Sequence, residues 1–346
     1  MEQRLTRLWY RDSAGFSWLA PLAWLFGAVV RLRRYAYAHG WLESRRAGKP
    51  VIVVGNLTVG GTGKTPLVAW LAQSLSATGL RVGIVSRGYG RSERAPQAVH
   101  AETSWREVGD EPVLLHQLTG CDTVVAQDRL AGAQELVARG VDVVISDDGL
   151  QHLRLARDCE IVVVDGARGF GNGRLLPAGP LREPASRARQ VNLIVVNGVP
   201  EHASLLAGDG KLPAATLQMA LIGGNAHRLD GFGGPQPLGH FRGTPVHAVA
   251  GIGNPQRFFR DLRACGLEVI EHPFPDHHPF VAADLTFNDE LPVLMTQKDA
   301  VRCRSLVTAR LWFVPVSARF GDSQTQELLH RVVQLLAPAK PNAAGD

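Results

Sequence analysis

Residues 51–66 have the residue types and the spacing that bind the phosphates of a nucleotide. They read VIVVGNLTVGGTGKTP, an apolar run followed by a glycine-rich loop and by Lys64 and Thr65 at the start of a helical pattern. Glycine lets the backbone approach phosphate oxygens, and loop N–H groups and the helix dipole favour their negative charge. Lysine can reach the β- and γ-phosphates, and the threonine hydroxyl suits Mg²⁺. The predicted contacts to a nucleoside triphosphate are Thr58, Val59, Gly60, Gly61, Thr62, Gly63, Lys64, Thr65 and Pro66.

This stretch departs from the general P-loop pattern at one position. The pattern G-x-x-x-x-G-K-[ST] has glycine where this chain has Thr58. The alternative is a glycine-rich turn whose lysine is merely solvated. Because strand, Gly-Gly-x-Gly-Lys-Thr and helix follow one another in the required order, the sequence favours the P-loop.

Two adjacent carboxylates, Asp147 and Asp148, follow the apolar run at residues 141–146. A buried strand that delivers carboxylates at its carboxyl end is the usual partner of a P-loop, because the Mg²⁺ held by Thr65 needs an aspartate directly or through water. Adjacent residues of a strand point to opposite sides, so we expect one of the two to face the metal. The predicted metal site is Thr65, Asp147 and Asp148.

Three more charged positions could serve either a ligand or the fold. Asp110 begins a helical pattern after Gly109, where a carboxylate also serves as a cap or first-turn charge. Arg87 follows a strand pattern and lies among glycines, which suits an anionic ligand or a solvated turn. Arg182 lies in a loop at residues 173–184 that is too rich in proline and glycine for regular structure, and long ordered loops of this kind often bind ligands.

Valine- and isoleucine-rich runs alternate with helical patterns, which predicts an α/β fold. Strands are expected at residues 51–54, 81–86, 121–126, 141–146, 161–165, 193–197 and 246–250. We predict a P-loop NTPase-like parallel sheet domain at residues 46–225 and a smaller C-terminal α/β domain at 226–336. Residues 1–45 form an N-terminal membrane-associated helical segment in this division, and 337–346 form a disordered tail.

The N-terminal segment combines an apolar run with aromatic and basic residues. Residues 14–30 are apolar around a whole helix, and four of the seven tryptophans lie within the first 41 residues. A membrane interface selects amphipathic aromatics beside arginines. The run is short for a bilayer crossing and contains Pro21, so we expect a helix in or along the interface. A helix packed on the protein body or on another subunit is the alternative.

Charge and cysteine content narrow the classes of function. Residues 1–49 hold nine basic and three acidic side chains, whereas the whole chain has a net charge of +5. The body is therefore close to neutral, which disfavours a nucleic-acid partner and points to an anionic membrane surface near the N-terminus. The four cysteines lack ligand or redox spacing and are expected to be reduced thiols in the cytosol. No protein partner can be inferred.

Seven motifs together resemble the tetraacyldisaccharide 4′-kinase family, the lipid A 4′-kinases of Gram-negative bacteria. They are GNLTVGGTGKTP (55–66), SRGYGR (86–91), GDEP (109–112), DDGLQH (147–152), LLPAGPLREP (175–184), FPDHHPF (274–280) and TQKDAV (296–301). These motifs span nearly the whole chain in the family's order, and Thr58 agrees with the family. The resemblance implies transfer of the γ-phosphate of ATP, with Mg²⁺, to the 4′-hydroxyl of a tetraacylated glucosamine disaccharide 1-phosphate.

The resemblance also implies roles for particular residues. On the sequence alone His277 reads as a loop histidine, but it matches a family histidine that acts with the carboxylate matching Asp110 to activate the acceptor hydroxyl. Lys64 is again expected to contact the β- and γ-phosphates of ATP. Arg87, Arg129 and Arg182 become candidates for the phosphates of ATP or for the 1-phosphate of the acceptor. The multiply acylated acceptor implies work at the cytoplasmic face of the bacterial inner membrane.

The sequence disfavours three other classes of protein. A membrane-associated switch ATPase carries a signature lysine where this chain has Val59, which weakens that reading. A GTPase is disfavoured because Lys298-Asp299 lacks the spacing of the guanine-reading motif. A purely structural, membrane-tethered protein would not need the assembled phosphate and metal residues.

Overall fold

The computed structural model describes residues 9–10, 18–88, 95–206, 216–306 and 308–336, and their strands form two sheets. The first sheet has nine strands in the order β14-β8-β7-β6-β1-β5-β2-β4-β3. Their bounds are β1 Val51–Gly55, β2 Val82–Ser86, β3 Gln97–Val99, β4 Asp122–Val125, β5 Val143–Asp147, β6 Cys159–Asp165, β7 Leu193–Asn197, β8 Thr216–Gly223 and β14 Val316–Arg319. The pairing is parallel except at the two edges, where β3 and β14 are antiparallel to their neighbours.

Helices cover both faces of this sheet because its central strands are apolar on both sides. The helices of this part of the chain are α1 Ala20–Ala38, α2 Lys64–Ser76, α3 Trp105–Val108, α4 Asp110–Thr119, α5 Arg129–Ala138, α6 Ala203–Leu206 and α9 Asp322–Leu336. Helices α2 and α9 bury Leu67, Leu71 and Leu328 in one core. Helix α5 buries Leu130 and Leu136 in the core on the opposite face.

The second sheet has five strands in the order β11-β10-β12-β13-β9. Its elements are β9 His227–Arg228, β10 Val246–Ala250, α7 Pro255–Ala264, β11 Val269–Pro273, β12 Val293–Thr296, α8 Gln297–Arg302 and β13 Leu311–Val314. Helix α7 packs Phe258, Phe259 and Leu262 against β10. Short 3-10 helices occur at Ala185–Gln190, Leu238–Phe241 and Ala282–Leu285.

The predicted α/β class, with one large and mostly parallel sheet and a smaller second sheet, is confirmed. Elements β14 and α9 do not pack with the second sheet, since β14 pairs with β8 and α9 packs into the first core. Residues 316–336 thus lie with the first sheet, whereas the division made from the sequence grouped them with the C-terminal domain. The predicted tail at 337–346 and residues 89–91 of the SRGYGR motif lie outside the described residues.

Helix α1 packs through small residues and exposes large ones. Ala23 and Gly27 are buried, and a Cβ on Gly27 would lie 2.7 Å from the Leu175 side chain. The large apolar side chains that remain exposed on and beside this helix are Trp18, Leu22, Trp24, Leu25, Val29 and Leu32. Among the described residues, none of the helices has the length and apolar character that crossing a membrane requires.

Candidate active site

The P-loop connects the carboxyl end of β1 to the first turn of α2. Gly63 precedes α2 with a φ of +94°, and a Cβ there would lie 2.6 Å from Asn197 Nδ2. That amide, at the end of β7, donates a hydrogen bond to the Thr62 carbonyl at 3.0 Å. Only glycine satisfies both the left-handed backbone and the close amide. The neighbouring strand β7 therefore fixes the loop that presents Lys64.

The departure at Thr58 has a structural explanation. Thr58 is buried and forms an antiparallel bridge with Leu181, and the Val59 N–H donates to the Pro180 carbonyl at 2.9 Å. An ordered backbone partner for the loop makes a flexible glycine unnecessary here. The proline-rich loop at residues 173–184 thus supports the P-loop, which its composition did not reveal.

Asp147 ends β5 and Asp148 follows it, at the same edge of the sheet and close to Lys64. Lys64 Nζ lies 3.7 Å from Asp148 Oδ1, and Arg182 Nη1 lies 3.0 Å from Asp148 Oδ2. Asp147 is buried and accepts a hydrogen bond from Ser86 Oγ at 3.2 Å. Asp148 has a φ of +50°. The two carboxylates thus have different partners, and which of them faces a metal ion stays a prediction.

The two aspartates differ in their electrostatics. Burial alone would raise the pKa of Asp148, but the charges of Lys64 and Arg182 lower it to about 2. Burial raises the pKa of Asp147, and the nearby carboxylates Glu111 and Asp148 raise it further. The charges of Lys64 and Arg129 lower the pKa of Asp147 but do not offset burial and the two carboxylates, whereas Asp148 pairs directly with Lys64 and Arg182.

The residues present fit a magnesium ion at this edge. Asp147 Oδ1 is buried without a hydrogen-bond partner, and a cation would stabilise the charge that burial and Glu111 disfavour. Among the described residues, no group of three or more histidine, cysteine or acidic side chains forms a complete metal cage. Magnesium usually takes one or two carboxylates and completes its shell with water and substrate phosphates. A site of this incomplete kind suits a nucleotide-bound metal.

Asp110 and His277 come together from the two sheets. His277 Nδ1 lies 3.0 and 3.1 Å from the two carboxylate oxygens of Asp110, which begins α4 and is 3% exposed. His277 has a φ of +59°, and its backbone N–H lies 3.2 Å from the Gly251 carbonyl and 3.0 Å from Asp276 Oδ1. Within the described residues, Asp148 and His277 are the non-glycine positions with positive φ. Backbone strain of this kind clusters at functional sites.

The hydrogen bond between these two residues shifts both pKa values. It raises the pKa of His277, against the effect of burial. Burial alone would raise the pKa of Asp110, but the bond to His277 and the charge of Lys298 lower it to about 2. The geometry is that of a carboxylate that orients an imidazole and stabilises its protonated form.

Glu111 joins this pair to the phosphate site. Its carboxylate accepts from Lys298 Nζ at 2.9 Å, and the charges of Lys298, Asp110 and Lys64 all act on its pKa. Glu111 in turn raises the pKa of Asp147. Lys64, Asp110 and Asp147 therefore all lie within electrostatic range of Glu111.

The chain matches the model of one protein family, described as LpxK: Tetraacyldisaccharide-1-P 4′-kinase, over residues 16–334. The tetraacyldisaccharide 4′-kinase of Alkalilimnicola ehrlichii is 54% identical over 317 residues, which cover 90% of each chain. The protein of that name from Pseudomonas aeruginosa is 46% identical over 95% of this chain and 99% of its own. A crystal structure described as LpxK from Aquifex aeolicus in complex with ATP has a TM-score of 0.77 and 29% identity, covering 93% of this chain and 99% of that one.

This chain belongs to the tetraacyldisaccharide 4′-kinase family. The resemblance drawn from the seven motifs is thereby confirmed. So is the prediction of an ATP-dependent kinase of lipid A biosynthesis that uses Mg²⁺ and phosphorylates the 4′-hydroxyl of the tetraacyl disaccharide 1-phosphate.

The three arginines predicted to bind phosphates of this kinase's substrates lie in different environments. Arg182 contacts Asp148, and Arg87 is exposed just after β2. Arg129 is 2% exposed, and its guanidinium donates to the Ala126 carbonyl at 2.5 Å and to the Asp147 carbonyl at 3.4 Å. Burial lowers the pKa of Arg129 to about 10. Arg129 is therefore placed to hold the backbone that carries Asp147, while the roles of all three toward phosphate stay predictions.

Sequence reasoning missed one residue that supports the kinase's dyad, Arg302. It is buried at the end of α8, with Nε 3.5 Å from Asp110 Oδ2 and Nη2 donating to the Gly251 carbonyl at 2.8 Å. A second nitrogen, Nη1, donates to the His278 carbonyl at 3.3 Å, and Asp299 balances the charge. Arg302 thus contacts Asp110, the carbonyl of the residue after His277, and the Gly251 carbonyl that also accepts from the His277 N–H. The only available signal was its position directly after the TQKDAV motif.

Proposed function

We propose that this kinase activates the 4′-hydroxyl of its acceptor with the Asp110–His277 pair and transfers to it the γ-phosphate of ATP held by the P-loop. The observation that carries the proposal is the 3.0 Å contact between Asp110 and His277, made across the two sheets. Glu111 and Lys298 place this contact in the same electrostatic neighbourhood as Lys64 and the paired aspartates.

The P-loop side of the cleft holds the donor. Loop N–H groups between Gly60 and Thr65 bind the β- and γ-phosphates, and Lys64 neutralises charge that develops on the transferred group. Thr65, Asp147 and Asp148 would hold Mg²⁺, which would withdraw charge from the phosphate oxygens. Asp148 keeps Lys64 and Arg182 oriented before the nucleotide arrives, since both ion pairs converge on its carboxylate.

The second side of the cleft takes the proton. With Nδ1–H donated to Asp110, the basic lone pair of His277 lies on Nε2, which accepts the proton of the 4′-hydroxyl as the oxygen attacks phosphorus. The ionised Asp110 stabilises the imidazolium that results. The raised pKa of His277 and the pKa of about 2 at Asp110 agree with these roles.

We further propose that helix α1 seats the enzyme on the membrane that holds its acceptor. Trp24 is 77% exposed and Leu25 63% exposed, and the exposed arginines Arg31 and Arg33 lie on the next turns. An apolar stripe beside basic residues favours the surface of an anionic bilayer. The location that we propose is the cytoplasmic face of the inner membrane, where ATP is present.

The membrane helix is physically tied to the phosphate site. Arg34 of α1 pairs with Glu183 at 2.9 Å, and Leu175 packs against Gly27. The same loop carries Arg182 to Asp148 and Leu181 to Thr58. Docking of α1 on the bilayer would therefore set the position of the cleft relative to the acceptor's sugar headgroup.

A transfer assay tests the proposed chemistry. Purified protein is incubated with γ-labelled ATP and detergent-dispersed tetraacyl disaccharide 1-phosphate, and label on the lipid is measured. We expect transfer by the wild-type chain, and unimpaired ATP binding with transfer slowed by about 10³-fold in His277→Ala. Full transfer by His277→Ala would contradict the proposed base. ATP hydrolysis without transfer to the lipid by the wild-type chain would favour a switch ATPase.

Vesicle sedimentation tests the membrane proposal. Replacing both Trp24 and Leu25 by serine should lower binding to vesicles that contain anionic lipid by about tenfold or more, since each side chain loses apolar burial. The control is Val199→Ser, because Val199 is 60% exposed on another part of the molecule. Equal loss in both variants would contradict a specific role for α1.

A further inference from the structure

Four successive carbonyls of the P-loop each accept a hydrogen bond from a side chain. The donating side chains come from four different segments of the chain. The pairs are Tyr10 with Val59, Asn56 with Gly60, Arg168 with Gly61, and Asn197 with Thr62. The donor–acceptor distances are 3.3 Å for Tyr10, 3.2 Å for Asn56 and 3.0 Å for Asn197. Side chains distant in sequence therefore fix the backbone of a glycine-rich loop.

The direction of these carbonyls sets the direction of the P-loop N–H groups. In a trans peptide unit the carbonyl and the N–H of the following residue point in opposite directions. The peptide bonds of this loop are trans, so each held carbonyl directs the next N–H away from the side chain that holds it. The N–H groups directed in this way belong to residues 60–63, and the proposed function assigns them to the phosphates. Because glycine permits many other backbone conformations, the held carbonyls select one.

Arg168 is fixed on the turn that follows β6. Asp165, the last residue of β6, accepts a hydrogen bond from the Arg168 N–H at 3.0 Å and pairs with Arg168 Nη2 at 3.2 Å. The same nitrogen donates to the Gly61 carbonyl, and Nη1 would lie 3.6 Å from a Cβ on Gly60. Arg168 Nε is buried and has no hydrogen-bond partner among the described residues. The guanidinium is thus held between the sheet and the P-loop.

Tyr10 covers the other side of this guanidinium. Tyr10 precedes helix α1, and the centre of its ring lies 5.2 Å from the guanidinium carbon of Arg168, as in a cation–π contact. Burial raises the pKa of Tyr10, so its hydroxyl remains a donor at neutral pH. The neighbouring Trp9 donates from Nε1 to the Pro177 carbonyl at 3.2 Å, and its own carbonyl accepts from the Asn172 N–H at 2.9 Å. Two residues ahead of the membrane helix are therefore packed on the P-loop and on the loop beside it.

We infer that Tyr10 and Arg168 are positioning residues for ATP, which hold the Val59 and Gly61 carbonyls so that the P-loop N–H groups face the phosphates. The inference rests on the proposed function, in which those N–H groups bind the phosphates. A planar guanidinium can hold Asp165 and the Gly61 carbonyl at once, and a lysine ammonium lacks this fork. The segment before α1 thus helps to build the ATP site, in addition to the membrane contact proposed for α1 itself.

Three ligands that contain different parts of ATP test the inference. The Kd of the full-length protein is measured for ATP, for inorganic tripolyphosphate and for adenosine by titration calorimetry with Mg²⁺ and without acceptor. In Arg168→Lys, the Kd for ATP and for tripolyphosphate should each rise by about tenfold, as for loss of a charge-assisted hydrogen bond. In Tyr10→Phe, which removes only the hydroxyl, both should rise by about threefold. Adenosine has no phosphate, so its Kd should not change in either variant.

Two conservative variants serve as matched controls, Arg174→Lys and Tyr35→Phe, because both side chains are exposed. They should leave all three Kd values unchanged. A loss of affinity for ATP that tripolyphosphate does not share, or that adenosine shares equally, would overturn the inference. So would wild-type Kd values in Tyr10→Phe, a variant that keeps the aromatic ring and its packing. Absence of ATP and tripolyphosphate binding in the wild-type protein would instead contradict the proposed P-loop site itself.

A second comparison tests whether the Tyr10 ring acts through Arg168. Tyr10→Leu removes the ring as well as the hydroxyl, so it should raise the Kd for tripolyphosphate further than Tyr10→Phe does. In an Arg168→Ala background there is no guanidinium to hold, and Tyr10→Leu and Tyr10→Phe should then have the same Kd. An additional loss from the ring that persists without Arg168 would overturn the assigned coupling.

Discussion

The two sides of the proposed catalytic site are built in different ways. On the donor side, Lys64 follows β1 through the P-loop, and Asp147 and Asp148 lie at the end of the adjacent parallel strand β5. The side chains that hold these residues come from other strands and loops of the same sheet. On the proton-transfer side, Asp110 begins a helix packed on the first sheet, whereas His277 and Arg302 come from segments packed around the second. The donor side therefore needs only the fold around the first sheet, and the proton-transfer side needs the two sheets to be correctly joined.

Replacing Asp110 should give the largest difference between the two sides, because it should lower kcat with little effect on ATP binding. Asp110→Ala is expected to lower kcat by about 10³-fold, within the range for loss of general acid–base catalysis. The affinity of this variant for ATP should remain within a few-fold of wild type. Asp110 acts on the phosphate site only through Glu111. Lys64→Ala is the comparison, and it should impair both ATP binding and kcat. Turnover that survives in Asp110→Ala would return this residue to a helix-capping role.

Gly63→Ala should destabilise the donor side by straining the backbone of the P-loop. Alanine at a φ of +94° costs about 1–2 kcal/mol of folding free energy, and its Cβ would also meet Asn197 Nδ2 at 2.6 Å. Gly79→Ala is a matched control, because Gly79 has a φ of +91° and nothing lies within 4 Å of its added Cβ. Chemical denaturation should show the greater loss of stability for Gly63→Ala. Equal losses would mean that the Asn197 contact does not shape the P-loop.

Arg302→Lys tests what supports the proton-transfer side. Lysine keeps a positive charge near Asp299 and Asp110 but cannot contact the Gly251 and His278 carbonyls together. We expect kcat to fall by about tenfold through misplacement of the dyad, with KM for ATP unchanged. A kcat equal to wild type would show that the turn carrying His277 does not depend on Arg302. Thermal unfolding of the variant checks that the fold is retained.

The pH dependence of kcat/KM should depend on the hydrogen bond between Asp110 and His277, which links the two sheets. Because the hydrogen bond to Asp110 raises the pKa of His277, the base form is lost as pH falls through that raised value. The acid limb of kcat/KM for the acceptor should therefore reflect His277. In Asp110→Asn the main cause of the raised pKa is removed, so an NMR titration should find His277 titrating at lower pH. An unchanged pKa would contradict the assigned contact.

The sequence predicted the donor side better than the proton-transfer side. Each donor-side motif directly follows an apolar strand: one contains Lys64 and Thr65, and the other contains the two aspartates. The spacing alone therefore predicted these residues at one edge of the sheet. His277 took its role only from the family resemblance. Its contact with Asp110 spans 167 residues, and no periodicity encodes such a separation.

Two further features depended on long-range packing that the sequence did not reveal. Strand β14 returns to pair with β8, which brings residues 316–336 back to the first sheet. Arg302 is buried between Asp299 of its own helix, Phe280 and Asp110, and the contact with Asp110 arises only once α8 packs against α4. In both cases the sequence contained the correct element and lacked a signal for its partner.

A double-mutant cycle on Asp110 and His277 tests the central claim most directly. The kcat values of Asp110→Ala, His277→Ala and the double variant are compared with wild type under saturating ATP and acceptor. If the two residues act as one proton-accepting unit, the double variant should be about as active as the less active single variant, because each replacement already disables the pair. Fully additive losses in the double variant would show that Asp110 and His277 act independently and would contradict the mechanism.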